Sequence, residues 1–88
     1  MNKLFQKPKK RSEIIRGAIG EICKEDKVKP SAKTAKKYNI DDITERVLAK
    51  MYGENEEAKE HNRYDVKTSI YNDYDHLLKC FNIKVVEA

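Results

Sequence analysis

Residues 31–51, SAKTAKKYNIDDITERVLAKM, decide how this chain folds. Ser31 can cap a short helix over Ala32–Tyr38, on which Lys33, Lys36 and Lys37 share one face opposite Ala35. Asn39 then stands where a left-handed residue ends a helix. Asp41 can cap the next helix, whose Ile43, Val47, Leu48 and Met51 recur at helical spacing until Gly53 stops it. Two helices joined by a tight turn are therefore expected in the middle of the chain.

Upstream, Ser12–Lys24 has the signals of a first helix. Ser12 suits the N-cap, Glu13 the first turn and Lys24 the last. Ile14, Ile15, Ala18, Ile19, Ile22 and Cys23 form its apolar stripe. Gly17, beside the stripe, either admits a close helical neighbour or, with Gly20, only weakens the helix by about 1 kcal/mol each relative to Ala. The charged run from Lys24 to Pro30 (KEDKVKP) is a loop, because proline disfavours a helical residue before it.

Downstream, Glu54–His61 (ENEEAKEH) lacks an apolar stripe and is either an exposed loop or a solvated helical turn. Asn62 and Asp65 resemble a capping box. Val66, Ile70, Tyr74, Leu77, Leu78 and Phe81 then line one face of a single long helix, ended by Asn82. Ile83, Val85 and Val86 are expected as a short extended tail over the core. The expected fold is all-α: a small bundle of four helices forming one domain over 12–88, behind a flexible basic arm over 1–11.

Charge is divided between the two halves. Residues 1–38 hold twelve Lys/Arg against four acids, a net of +8; residues 39–88 hold seven against eleven, a net of −4. Such a field attracts polyanions to one end of the molecule and repels them from the other. No apolar run approaches the ~18–20 residues that span a bilayer, and no apolar stretch follows the basic start, so neither a membrane segment nor a signal peptide is expected. Cys23 and Cys80 lack any paired spacing, which suits free thiols in a reducing cytoplasm, although spacing alone leaves a disulfide between them open.

The stretch 31–51 resembles helix-turn-helix DNA-binding domains. Ala35 matches the small residue that lets the two helices approach, Ile40 the apolar residue after the turn, and Leu48 a buried position of the recognition helix. Asn39 replaces the usual turn glycine, and Glu45 falls where the family has an apolar residue. Asp41 and Asp42 would repel phosphates at the entrance of the second helix. The resemblance implies a two-helix unit that offers Thr44, Arg46 and Lys50 as base or backbone contacts.

The basic residues themselves suggest a phosphate footprint. Lys7, Lys9, Lys10 and Arg11 lie on the arm, Lys27 and Lys29 in the loop, and Lys33, Lys36 and Lys37 on the expected short helix. Lysine-rich faces also occur as plain solvated surface, but the uncompensated arm resembles the backbone-tracking arms of DNA-binding proteins. Tyr38, Tyr52 and Tyr74 fall on or beside apolar stripes and are expected to pack, whereas Tyr64 and Tyr71 sit among carboxylates that suit a protein contact better than a nucleic acid. Asp73, His76 and Cys80 share a helical face, yet a metal site needs a further ligand, and a half-buried thiol is the simpler expectation.

No phosphate-binding glycine loop and no nucleophile–base arrangement occurs, so a cofactor-free, non-enzymatic protein is expected. The leading expectation is a cytoplasmic nucleic-acid-binding protein, with duplex DNA favoured. Its size suits a regulator or accessory factor of a plasmid, phage or other mobile element. Dimerisation would enlarge the contact area of one 10.3 kDa module, with Arg63–Phe81, bearing Tyr71 and Leu78, as the candidate dimer surface. The rival expectation is a protein-interaction module, an inhibitor, adaptor or immunity-type bundle, working through the acidic, Tyr-bearing second half.

Overall fold

The computed structural model describes residues 10–87. Its elements are helix α1 (Arg11–Glu25), strand β1 (Lys36–Asn39), helices α2 (Ile40–Tyr52), α3 (Glu56–Asn72) and α4 (Tyr74–Phe81), and strand β2 (Ile83–Val86). The described residues are mostly helical, with four helices, but not purely so. β1 and β2 pair in parallel, Lys36 with Ile83, Lys37 with Lys84, Tyr38 with Val85 and Asn39 with Val86. A parallel pair needs a long crossover, and here α2, α3 and α4 supply it.

The expected short helix over Ala32–Tyr38 is therefore absent. Residues 30–35 form turns and bends, and Lys36–Asn39 is strand. Consequently the two-helix unit does not form at residues 31–51; a strand leads directly into α2. Asn39 does not end a helix in the left-handed region. It starts one, with φ −67° and its Oδ1 accepting the backbone N–H groups of Asp41 and Asp42 at 2.9 and 3.0 Å. That assigns the cap to Asn39, not Asp41. Gly53 closes α2 as expected, at φ 62°, a conformation that β-carbon-bearing residues resist.

The other helices differ at their ends. α1 begins at Arg11, with Lys10 at the N-cap position and no side-chain cap, so Ser12 lies inside it and Arg11 belongs to the helix instead of the arm. α3 begins at Glu56, capped by Asn55, whose Oδ1 accepts the Ala58 N–H at 3.1 Å. Asn62 is consequently mid-helix, donating to the Ala58 carbonyl at 2.7 Å. The expected single long helix is broken at Asp73 into α3 and α4.

The core draws on every element. Ile15, Ile19 and Ile22 of α1 meet Ile43, Val47 and Leu48 of α2, Val66 and Ile70 of α3, and Leu77 of α4. β1 contributes Tyr38 and β2 contributes Ile83 and Val85, which alternate inward as a half-buried strand requires. Truncating one of the fully buried side chains, such as Leu48→Ala, would cost roughly 2–5 kcal/mol. Tyr74 and Leu78 leave the stripe and are exposed.

Asn82 ties the sheet to the loop before it. It takes the left-handed conformation (φ 58°, ψ 44°) that turns the chain from α4 into β2. Its carbonyl accepts the Lys36 N–H at 3.1 Å, and its side-chain amide donates to the carbonyls of Lys29 and Ala32 at 3.1 and 3.0 Å. One residue thus sets the start of β2, the start of β1 and the path of the loop between α1 and β1.

Candidate nucleic-acid interface

Basic side chains divide into two groups by what they touch. On the helices, all but Lys24 and Lys79 are matched by carboxylates. Arg16 donates to both oxygens of Asp73, at 2.9 and 2.7 Å, across the break between α3 and α4. Arg63 binds Glu45 and Glu60, and Lys67 binds Asp41 at 2.9 Å. These pairs hold the Asp73 and Glu45 carboxyls below their usual range, mainly through the hydrogen bonds from Arg16 and Arg63.

The loop and the sheet hold the second group. Lys27, Lys29, Lys33, Lys36, Lys37 and Lys84 are all exposed, and none forms an ion pair among the described residues. The backbone brings part of this group together. Lys37 and Lys84 are register partners in the sheet. Inward-facing Tyr38 and Val85 follow them, so both lysines stand on the outer face. The amide of Asn82 holds the loop at Lys29 and Ala32 against the start of the same sheet. Lys36 lies on the other face, its Nζ 5.6 Å from the centroid of the Tyr38 ring.

Sequence-expected contacts on α2 are differently placed. Thr44 is 1 % exposed, its hydroxyl donating to the Ile40 carbonyl at 2.7 Å. Arg46 is held by Asp26 and Glu25, and Lys50 by Glu21 and Glu25. Asp41 and Asp42 remain exposed at the helix entrance. Thr44, Arg46 and Lys50 thus each have a partner within the fold. Arg11 is turned to α3, meeting Asn62 at 3.1 Å and Asp65 at 3.4 Å. Lys10 is exposed at the start of α1, and Lys7 and Lys9 lie outside the described residues.

Two features escaped sequence reasoning. Lys84 belongs with the lysine group; its alternation with Ile83 and Val85 marks it as outward, but nothing local shows Lys37 beside it. Tyr71, Asn72, Tyr74, Lys84 and Val85 also line an open groove of about 490 Å³. Tyr71 and Tyr74 are 49 % and 53 % exposed there, so Tyr74 is not the packed residue its place in the stripe suggested. The Tyr71 hydroxyl donates to Glu87 at 3.4 Å.

Among the described residues, no group of three or more His, Cys, Asp or Glu side chains could hold a metal ion. Cys80 lies 3.7 Å from His76 Nδ1, but Asp73 is engaged by Arg16. Cys23 is buried, and that burial raises its thiol above the ordinary range. No helix among the described residues is long and apolar enough to cross a membrane. Comparison with family models, curated proteins and solved structures finds no match to this chain.

Proposed function

We propose that this protein is a non-enzymatic nucleic-acid-binding module that grips the phosphate backbone with the lysines of its loop and sheet. The single observation carrying the reading is the Lys37–Lys84 register pair. Like charges directly opposite on a sheet destabilise it, and no carboxylate forms an ion pair with either among the described residues. A phosphate between them would relieve that repulsion. Exposed Lys27, Lys29 and Lys33 of the loop add positive charge, and so do the basic residues ahead of α1. Contacts of this kind give affinity without sequence readout, in keeping with the occupied side chains of α2.

A salt titration of binding to a duplex tests this reading. The logarithm of the association constant should fall linearly with the logarithm of salt, by roughly 0.9 per phosphate contacted. Replacing Lys33, Lys36 and Lys37 together with Ala should make that slope shallower. Absence of binding to the duplex and to a single strand alike at about 50–100 mM salt, where counterion-driven association is strong, would overturn the proposal. The protein-interaction reading would then take its place, favoured by the 77 % exposed Tyr64 on α3.

A further inference from the structure

We propose that the groove between Tyr71, Tyr74 and Lys84 seats an unpaired base, so that the nucleic acid crossing the sheet is single-stranded there. This rests on the phosphate-binding reading above and adds the strand form that the protein prefers. Tyr71 closes α3 and Tyr74 opens α4, so the break at Asp73 sets the two rings at one groove with β2. An uninterrupted helix would have carried Tyr74 along the apolar stripe toward the core. Both rings instead remain half exposed, beside Lys84 and Val85.

Charge around the groove favours an anionic strand. Asp73 lies between the tyrosines in sequence, but Arg16 meets both of its oxygens, so that carboxylate is already balanced. Glu87, which accepts the Tyr71 hydroxyl at 3.4 Å, and exposed Asp75 are the opposing charges. On the other side, Lys84 adjoins Lys37, and Asn82 ties the loop backbone at Lys29 to the start of the same sheet, which makes a short basic track. A strand laid along that track brings its phosphates to the lysines and its bases to the rings. Every base has a face that stacks on an aromatic ring, but in a duplex those faces are covered by neighbouring bases. The rings therefore discriminate by strand form and not by sequence.

The test uses the full chain with a 15-nucleotide oligothymidylate and a duplex of the same length, at 50 mM salt. The single strand is expected to bind more tightly and to quench tyrosine fluorescence, which no Trp obscures in this chain. Tyr71→Ala and Tyr74→Ala should each weaken single-strand binding about fivefold or more and leave duplex binding within about twofold. Tyr71→Phe and Tyr74→Phe should retain single-strand binding, because the ring and not the hydroxyl makes the contact. Lys37→Ala and Lys84→Ala should weaken both ligands. Thermal melts of the variants report whether each is folded; the Phe variants keep the rings if an Ala variant is not. If the lysine variants weaken binding while the Tyr→Ala variants leave it unchanged, or lower both ligands equally, the base seat is overturned and the phosphate reading stands. Binding of neither ligand overturns both.

Discussion

Arg46 and Asp26 form a two-point pair, Nη1 to Oδ2 at 2.6 Å and Nη2 to Oδ1 at 3.0 Å, that fastens α2 to the end of α1. The same carboxylate accepts the Tyr38 hydroxyl at 2.6 Å, so β1 joins them. The hydrogen bond from Arg46, then that from Tyr38, lowers the Asp26 carboxyl to about 2. In the unfolded chain it would titrate near ~3.9. As pH falls, the unfolded chain takes up the proton first, so the stabilisation is full above about pH 4 and is lost as pH approaches 2. Urea midpoints of the native chain and Asp26→Asn should therefore differ at pH 6 and draw together near pH 2. A gap independent of pH would mean that the ionised carboxylate is not its source.

Asn39 supplies a second test, because the expected and observed roles predict opposite signs. As the N-cap of α2, Asn39→Ala should cost about 1 kcal/mol and Asn39→Gly only a few tenths. Were the residue left-handed, glycine there would stabilise the protein. Chemical denaturation of the two variants separates these cases.

What the sequence hid follows from distance along the chain. The stripe of α1 from Ile15 to Cys23, the stop at Gly53 and the turn at Asn82 are local, and each was readable, although Ile14, expected in that stripe, is exposed. Lys36–Asn39 was not: Lys33, Lys36 and Lys37 have helical spacing, and the residues that make this segment a strand, Ile83 to Val86, lie more than forty positions away. The break at Asp73 has no Gly or Pro to announce it, and the apolar stripe continues from Ile70 to Leu77 across it. Arg16, from α1, is the residue that engages the break. The candidate site suffered likewise: its loop lysines were legible as basic, but Lys84 and the Tyr71–Tyr74 groove join them only through tertiary structure.

Gly17 gives a prediction of the opposite sign from most substitutions. A β-carbon built there meets nothing within 4 Å, so the glycine is not required by any close neighbour of α1. Gly17→Ala should stabilise the fold by roughly 0.5–1 kcal/mol, a gain of a few degrees in melting temperature. Gly53→Ala should do the reverse, since its positive φ of 62° strains any residue with a β-carbon. Thermal melts of both variants should move in opposite directions.

Lys84 allows stability and binding to be set against each other. Opposite Lys37, its charge works against the sheet; reversing it would turn a repulsive pair into an attractive one. Lys84→Glu should therefore stabilise the free protein by roughly 0.2–1 kcal/mol, an effect that fades in high salt. The same change should weaken nucleic-acid binding more than Lys84→Ala does, because it adds a repelled charge as well as removing an attractive one. A surface lysine with no ligand would give the first result without the second. A variant that is more stable in low-salt melts and weaker in binding titrations would show that the repulsion is retained for the ligand.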